Sequence, residues 1–375
     1  MTIRIIFVIG IMARWYFELN DVKGAFLNGE FESHHKMYMK VPYGCEQFVP
    51  PGSLLLLLKA IYGTKQAAIQ FWKKLCAVLA KIGLLRSKAD PCLHFKWDTS
   101  EGLTIMLSWV DDMLCCGRNR SVHKTVNNFK QHFHIDELGE LKEYVGCQIE
   151  YNQAEGYIRM TQPVMIQSFE DEFELPNESP VIPSKQGSIL VEDDGSALLS
   201  QDGASKYRTG VGKLLHMMKW SRNDILNSVR ELSRFMKCPR EGHLKAMYRT
   251  MNFVRSTREK GNFLKPNDTW DGNPEYHFQI SGATDSEFAS NPDTRRTVIG
   301  VSVFLADACI SACSRMLGGS GLSVTETELY AAVDGAQDML FALRLLEDMG
   351  LKVELPMILK VDNKGCVDLA NGWSN

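Results

Sequence analysis

The sequence has few of the features that would assign it to a simple class of protein. Its 375 residues include no apolar run close to the roughly 20 residues that a membrane span needs, and the leucine run at 54–58 has only five. Ten cysteines include no CxxC pair, and 42 Lys and Arg nearly balance 45 Asp and Glu. We therefore expect a chain with reduced thiols, inside the cell, with no membrane partner, while the oligomeric state stays open. A hydrophobic content of 45% excludes disorder and collagen and suffices for two or three domains.

The first residues allow two interpretations. Arg4 is followed by an apolar run over 5–13, which faintly resembles a secretory signal. The run continues without a break into Arg-Trp-Tyr-Phe-Glu at 14–18. A core helix that leads into a strand is therefore the preferred prediction.

Charge is segregated along the chain, which the net charge of −3 conceals. Residues 59–96 hold eight basic residues and one acid, a net charge of +7, and residues 205–260 hold fourteen basic residues and four acids, a net charge of +10. Between them, residues 168–194 hold eight acids and one lysine, a net charge of −7. The two basic blocks are candidates for binding a nucleic-acid backbone in a salt-sensitive way, and solvated helix faces are the simpler alternative.

Breaks rich in proline, glycine and asparagine near residues 176–187 and 260–274 divide the chain into segments 1–175, 176–270 and 271–375. Periodicity predicts a mixed first segment, with strands over 15–19, 103–109 and 113–116 and a helix over 66–79. The middle segment is predicted to be helical over 211–219, 224–236 and 241–257. The last segment is predicted to be a mixed sheet with flanking helices, with strands over 276–284, 298–305, 308–313 and 357–361 and helices over 325–349 and 364–370.

Two adjacent acids, Asp111 and Asp112, stand between two short apolar segments in Leu-Ser-Trp-Val-Asp-Asp-Met-Leu-Cys at 107–115. Asp is common in turns, which is the simpler explanation. A tight hairpin usually carries Asn-Gly or Asp-Gly, however, and adjacent carboxylates repel each other unless a divalent cation relieves the repulsion. On these residues alone, a plain turn and a metal site both stay open.

A third acid, Asp21, begins Asp-Val-Lys-Gly-Ala-Phe-Leu-Asn-Gly-Glu, after an aromatic-rich segment. Four motifs follow: Tyr-Met-Lys-Val-Pro at 38–42, Ala-Ile-Tyr-Gly-Thr-Lys-Gln-Ala at 60–67, Asp-Pro-Cys-Leu-His at 90–94 and Trp-Val-Asp-Asp-Met-Leu at 109–114. In order and spacing, the five motifs resemble the reverse transcriptase of copia-type retrotransposons. Thr64, Ala68 and Trp109 stand where that family usually has Leu, Pro and Tyr.

The resemblance implies roles for several residues. Asp21 and Asp111 would hold two Mg²⁺ ions with Asp112 beside them, because Mg²⁺ takes carboxylate oxygens and keeps positions for substrate phosphates; Mn²⁺ is the alternative ion. Phe26 matches the bulky position that excludes a 2′-hydroxyl, although without the family such a Phe would indicate core packing. Lys65 and Gln66 match the stretch that contacts the incoming nucleotide and the template.

A second set of acids lies in the last segment. Its motifs are Ala-Thr-Asp-Ser-Glu-Phe-Ala at 283–289, Thr-Arg-Arg-Thr-Val-Ile-Gly-Val at 294–301, Ser-Val-Thr-Glu-Thr-Glu-Leu-Tyr-Ala-Ala at 323–332 and Leu-Lys-Val-Asp-Asn at 359–363. They resemble the ribonuclease H domain that follows reverse transcriptase in copia-type elements, which implies that Asp285, Glu328 and Asp362 hold two metal ions. Glu326 competes with Glu328, but the two side chains point about 200° apart on a helix, so only one can face the metals. Ser323 and Glu326 fit a capping box, which favours Glu328 as the ligand; a capping box from Thr325 to Glu328 is the simpler alternative.

The middle segment resembles the connecting region of the same polyproteins, with Arg-Asn-Asp-Ile at 222–225 where Arg-Pro-Asp-Ile is usual. The expected fold is α/β (α+β): a polymerase palm (1–175), a linker with a helical thumb or connection (176–270) and a ribonuclease H-like mixed sheet (271–375). Relative to the family, we expect most of the fingers and the end of the last domain to be missing.

The expected function is RNA-directed DNA polymerase with ribonuclease H, and the partners are an RNA template, a DNA primer, an RNA–DNA hybrid and deoxynucleoside triphosphates. Such a protein would act in a cytoplasmic virus-like particle or in the nucleus. The alternative is a catalytically inactive remnant that at most binds nucleic acid.

Overall fold

Helices and short strands alternate along the computed structural model, which describes residues 1–29, 36–187, 189–319 and 321–372. Glu30 of the first motif lies outside the described residues. The α-helices are α1 (Thr2–Met12), α2 (Ala67–Lys81), α3 (Asn119–Lys130), α4 (Pro163–Glu172), α5 (Gln201–Trp220), α6 (Leu226–Ser233), α7 (Glu241–Ser256), α8 (Val324–Asp348) and α9 (Lys364–Gly372). Short 3₁₀ helices cover Ala25–Asn28, Glu46–Phe48 and Asn223–Ile225.

The strands are mostly short and antiparallel. They are β1 (Tyr16–Val22), β2 (Tyr38–Lys40), β3 (Leu54–Leu56), β4 (Leu85–Arg86), β5 (Leu93–Asp98), β6 (Gly102–Trp109), β7 (Asp112–Gly117), β8 (Ile135–Glu140), β9 (Glu143–Tyr144), β10 (Cys147–Asn152), β11 (Tyr157–Thr161), β12 (Asn262–Leu264), β13 (His277–Phe278), β14 (Ile280–Glu287), β15 (Val298–Leu305), β16 (Ala308–Met316), β17 (Lys352–Val353) and β18 (Ile358–Val361). The mixed α/β class predicted from the sequence is confirmed.

The chain forms two compact units, one of residues 15–141 and one of residues 1–14 with 142–375. These boundaries differ from those of the three segments expected from the sequence. The assignment of those segments to palm, connection and ribonuclease H-like domains stays a prediction.

The unit of residues 15–141 is built on a six-stranded sheet with the order β4-β5-β6-β7-β1-β8. Helix α2 carries apolar residues at helical spacing, and Phe71, Leu75 and Leu79 are buried. They join residues of β6, β7 and α3 in one core cluster. This core holds β1 and β7 side by side, and these strands carry the acids of the first motifs.

The other unit contains a helical cluster formed by α4 to α7. Helix α5 lies close to α7 at Gly210, where an added Cβ would lie 2.4 Å from the Met247 sulfur, so the Met247 side chain would have to move. Within the same unit α1 is buried from Ile3 to Met12, which confirms the predicted core helix. None of the helices in the described part of the chain is both long and apolar enough to cross a bilayer.

A four-stranded mixed sheet with the order β16-β15-β14-β18 lies in the same unit. Strand β14 pairs with β15 in antiparallel fashion and with β18 in parallel fashion. Helix α8 packs on β14 and β15, and the Ser323 hydroxyl caps its first turn by accepting a hydrogen bond from the Glu326 amide at 3.2 Å. The predicted mixed sheet is therefore observed, with helix α8 on one face.

His94 of the Asp-Pro-Cys-Leu-His motif generates a prediction about stability. Its side chain in β5 is 1% exposed, and burial lowers its pKa from 6.5 to about 4. The unfolded chain takes up a proton near pH 6.5, whereas the folded chain does so only near pH 4. We therefore expect His94 to leave the unfolding free energy unaffected above pH 6.5 and to lower it by up to about 3 kcal/mol as the pH drops to 4.

Urea unfolding of residues 15–141 within the whole chain, measured from pH 7.5 to pH 4, checks this expectation. His94→Gln should flatten the pH dependence between pH 6.5 and pH 4. His134→Gln, at an exposed histidine of the same unit, should leave it unchanged. A wild-type pH profile that persists in His94→Gln would contradict the assignment.

Candidate metal centres

The first set of acids is assembled by strand register in the unit of residues 15–141. Strand β1 lies beside β7 with Asp21 opposite Asp112. Strands β6 and β7 form a hairpin in which Trp109 pairs with Asp112, so Val110 and Asp111 form the turn. The Val22 amide donates a hydrogen bond to the Asp111 carbonyl at 3.0 Å. The three acids of the sequence prediction are therefore neighbours at one end of these strands.

The hairpin turn is strained. Val110 has a φ of 58°, which is unfavourable for a β-branched residue, and Asp111 does not share the positive φ. A positive φ at the first turn position only is typical of a type II′ turn, which normally has glycine there. Strain of this kind is concentrated at functional sites, because the surrounding fold must maintain it. The turn therefore consists of Val110 and Asp111, whereas Asp112 already belongs to β7, and the metal site stays a prediction.

The half-buried acids repel each other. Burial, and then the nearby charges of Asp111 and Asp136, raise the pKa of Asp21, while Lys23 acts in the opposite direction. Burial also raises the pKa of Asp112, and the charges of Asp111 and Asp21 add to the effect. A bound cation would relieve this repulsion.

Sequence reasoning missed a fourth acid at this site. In β8, Asp136 lies opposite Asp21, so Asp112, Asp21 and Asp136 form a row across three neighbouring strands. Lys23 forms an ion pair with Asp136, with 2.6 Å between Nζ and Oδ1. No sequence motif marks Asp136, because only the pairing of β8 with β1 brings it to the row.

The residues expected to contact nucleotide lie in the same unit. Phe26 is half-buried in a 3₁₀ helix, and its ring centroid lies 4.7 Å from that of Tyr62 and 6.4 Å from that of Phe71. Lys65 is exposed, and Gln66 is the half-buried N-cap residue of α2. Phe26 thus packs partly into the core, as its alternative interpretation expected, while part of its ring remains accessible.

The second set of acids converges more tightly. Asp285 in β14, Glu328 in α8 and Asp362 after β18 each place a carboxylate oxygen within 4.8 Å of the other two. Parallel pairing of Thr284 with Val361 explains why Asp285 and Asp362 emerge side by side. Of the residues that the structure describes, only these three form such a group, which Asp21, Asp111 and Asp112 do not.

Glu328 has the environment of a metal ligand. Its side chain is 3% exposed, and its Oε1 accepts hydrogen bonds from the Ser286 amide at 3.1 Å and the Ser286 hydroxyl at 2.8 Å. Its buried Oε2 has no hydrogen-bond partner among the described residues. Burial, together with the charges of Asp362 and Asp285, raises the pKa of Glu328. Three carboxylates with one unpartnered buried oxygen fit a hard cation such as Mg²⁺ or Mn²⁺.

Glu326 faces away from this group. Its Oε2 accepts a hydrogen bond from the Leu322 amide at 2.6 Å, and its Oε1 accepts one from the Tyr330 hydroxyl at 3.2 Å. Only Glu328 of the two competing residues therefore joins Asp285 and Asp362. Ser286, which orients Glu328, was missed from the sequence, because a serine that follows an acid in a strand carries no distinctive signal.

Fewer basic side chains of the block at 205–260 are available to a ligand than its net charge indicates. Arg222 is 1% exposed and binds both carboxylate oxygens of Asp224, at 2.9 and 2.8 Å, so it does not reach a surface. Six of the fourteen basic residues are in ion pairs of the described part: Lys213, Arg222, Arg230, Arg234, Arg240 and Arg258. The proposal that this block binds a nucleic-acid backbone stays a prediction, and in the folded chain these six residues already have acidic partners.

Comparison with known proteins finds similarity to reverse transcriptases and to transposon Pol polyproteins. Residues 1–185 match the family model described as reverse transcriptase (RNA-dependent DNA polymerase). The retrovirus-related Pol polyprotein from transposon TNT 1-94 of Nicotiana tabacum is 27% identical over 360 residues, which is 93% of this chain and 26% of the relative.

Two Arabidopsis thaliana relatives extend the match along nearly the whole chain. The Pol polyprotein from transposon RE1 is 28% identical over 373 residues, covering 98% of this chain and 24% of the relative. The one from transposon RE2 is 26% identical over 370 residues, again covering 98% and 24%. The chain thus spans about a quarter of the length of the relatives that it matches.

The second acid group predicts a divalent-cation site that depends on Glu328. We expect Glu328→Gln to weaken Mn²⁺ binding at this site at least about tenfold, because the variant removes one of three carboxylate charges. Electron paramagnetic resonance titration of free Mn²⁺ measures the affinity, with Asp21→Asn and Asp111→Asn in all samples to remove the other candidate site. The control is Glu326→Gln, which should keep the parent affinity. Equal effects of the two glutamate variants would refute the assignment.

Proposed function

We propose that this chain copies RNA into DNA and cleaves RNA in RNA–DNA hybrids. Its residues 1–185 match the reverse transcriptase family, and nearly the whole chain is similar to Pol polyproteins of copia-type retrotransposons. The proposed partners are an RNA template, a DNA primer, an RNA–DNA hybrid and deoxynucleoside triphosphates. The observation that carries the polymerase proposal is the register that sets Asp21 beside Asp112, with Asp111 at the strained turn.

In the polymerase reaction, Asp21 and Asp111 would hold two Mg²⁺ ions, and Asp112 would add negative charge beside them. Such ions would supply positive charge next to the primer 3′-hydroxyl, the phosphorus under attack and the leaving pyrophosphate. The chain contributes fixed geometry, since the β6–β7 hairpin and β1 hold the carboxylates at adjacent strand positions. Preorganised carboxylates need no rearrangement when the nucleotide arrives.

Phe26 selects deoxynucleotides in this proposal. Its ring is braced by Tyr62 and Phe71 and therefore cannot easily move aside for a 2′-hydroxyl. Lys65 and Gln66 contact the incoming nucleotide and the template, and the exposure of Lys65 leaves its ammonium group accessible.

In the nuclease reaction, Asp285, Glu328 and Asp362 would hold metal ions, which would supply positive charge for the attack of water on the RNA phosphodiester. Ser286 donates two hydrogen bonds to Glu328 Oε1, and the buried Oε2 has no hydrogen-bond partner among the described residues, which leaves it available to a cation. The tight convergence of these three acids supports this part of the proposal.

A catalytically inactive remnant that only binds nucleic acid is the second candidate. One observation favours it: among the described residues, Asp285, Glu328 and Asp362 form a group of converging carboxylate oxygens, and the three polymerase acids do not. Binding of a hybrid without extension or cleavage would identify this case.

Reciprocal variants test the two activities in one design. We expect Asp111→Asn to lower primer extension on poly(rA)/oligo(dT) with Mg²⁺ by about a hundredfold or more, because it removes a metal ligand, and to leave RNA cleavage intact. Asp285→Asn should have the opposite pattern on a labelled RNA–DNA hybrid. Each variant is thus the control for the other, and extension that is equal in wild type and Asp111→Asn would refute the polymerase assignment.

The role of Phe26 is tested by sugar selectivity. We expect Phe26→Val to raise incorporation of ribonucleotides relative to deoxynucleotides at least about tenfold, because the smaller side chain leaves room for the 2′-hydroxyl. Phe26→Tyr keeps the bulk and is the matched control. If Phe26→Val lowers incorporation of both sugars equally, Phe26 is only a packing residue.

A further inference from the structure

The acidic block of the sequence lies against the basic helices in the folded chain. We name residues 168–194 the acidic strap. It begins in the last turn and a half of α4 and then crosses, without helix or strand in its described residues, toward α5. Connections of this length without secondary structure are uncommon in compact domains and often have a function.

Ion pairs fix both ends of the strap to the helices. Glu172 pairs with Lys213 of α5, and Asp193 pairs with Arg240 at 3.1 Å, just before α7. Glu170 pairs with Arg258, which follows α7, at 3.0 Å. Each of these acids belongs to the block of net charge −7, and each partner belongs to the block of net charge +10.

Backbone carbonyls of the strap accept hydrogen bonds from further basic side chains. Arg255 donates to the Pro176 carbonyl at 3.3 Å, Arg234 to the Leu190 carbonyl at 3.2 Å and Arg240 to the Glu192 carbonyl at 3.1 Å. These guanidinium groups would otherwise be suited to phosphate oxygens, which they bind in the same planar geometry. The strap thus uses donors that a nucleic-acid backbone would use.

The two ends of the strap are packed on the helical core through Phe169, Phe173, Leu175 and Leu190, whereas its middle is loosely packed. A cavity of about 430 Å³ lies between strap residues, including Pro176 and Ile189, and residues of α7, including Tyr248. Val181 at the middle of the strap is 89% exposed. Exposed ion pairs contribute little to stability, and Arg258 and Glu172 are 51% and 49% exposed. A nucleic acid gains entropy when basic side chains replace the cations condensed on its phosphates, and it can therefore compete with the strap for these side chains.

We propose that the acidic strap is an internal competitor of nucleic acid: it covers a phosphate-binding face formed by basic residues in and next to α5 and α7, and a bound RNA–DNA hybrid displaces its acidic side chains and its stretch over residues 176–194. The proposal rests on the proposed function, because that function supplies the hybrid. Lys213, Arg240, Arg255 and Arg258 are the residues that the strap occupies and that the hybrid would take over. Arg234 is not among them, because it also pairs with Glu231 and Asp293, which lie outside the strap.

Two triple variants with the same change in net charge provide the test. Glu170→Gln/Glu172→Gln/Asp193→Asn removes the three ion pairs. Glu174→Gln/Glu178→Gln/Asp202→Asn removes three acids whose side chains are in no ion pair or hydrogen bond given by the described residues, and is the matched control. Binding of a 20-base-pair RNA–DNA hybrid is measured by fluorescence anisotropy from 50 to 300 mM salt, without divalent ions.

The paired variant should bind the hybrid about tenfold tighter than wild type at the lowest salt. Its slope of log affinity against log salt concentration should steepen by about 2 to 3. Each basic side chain that is freed from the strap and then contacts a phosphate adds about 0.9 to the slope. The control should gain less than threefold with an unchanged slope. Equal gains in the two variants would reduce the effect to net charge and overturn the proposal.

A second measurement needs no variant. Amide hydrogen exchange of the wild-type chain should accelerate within residues 176–194 when the hybrid is added, because the carbonyl contacts are lost. Unchanged or slower exchange there, with the hybrid bound, would overturn the proposal.

Heparin as a second probe separates failure of the proposal from failure of the proposed function. If the paired variant gains affinity for heparin while no variant binds the hybrid, the strap is a polyanion competitor and the nucleic-acid function fails. If all variants bind the hybrid equally, the nucleic-acid function stands and the strap proposal fails.

Discussion

Repulsion between carboxylates held at fixed positions in the sheets is the constraint on which both candidate centres depend. Backbone pairing places Asp21 opposite both Asp112 and Asp136, and parallel pairing brings Asp285 beside Asp362. Hydrogen bonds of the strands hold these acids together although their charges oppose it, and burial raises the pKa values of Asp21, Asp112 and Glu328 further. Lys23 offsets this repulsion at the first centre, and the hydrogen bonds from Ser286 offset it at the second. Carboxylate ligands of both centres favour divalent cations.

The same electrostatic principle operates on a larger scale in the unit of residues 1–14 and 142–375. A net charge of −3 results from blocks of opposite sign, and the fold brings the acidic strap onto the basic helices. Charges that are separated in sequence are thus paired in space. A count of basic residues therefore overstates the surface available to phosphates, and Arg222, buried against Asp224, is the clearest case.

Local patterns in the sequence were sufficient for most of the secondary structure. The strands predicted over 103–109 and 113–116 form the β6–β7 hairpin, and the helix predicted over 325–349 is α8, capped by Ser323 as expected. The choice between Glu326 and Glu328 also followed from helix geometry, because the two side chains point to different sides of one helix. Such features depend on residues within a few positions of each other, so a single sequence contains the information.

Contacts between distant segments were beyond the sequence. The sequence by itself determined which residue types were available: two sets of acids, an aromatic residue near the first set, and blocks of opposite charge. Tertiary structure decided that Asp136 joins the first row, that Ser286 orients Glu328, and that the acidic strap covers basic side chains. The physical reason is that strand pairing and helix packing bring together residues that are far apart in the chain. A periodic pattern in one segment does not indicate which other segment will pack against it.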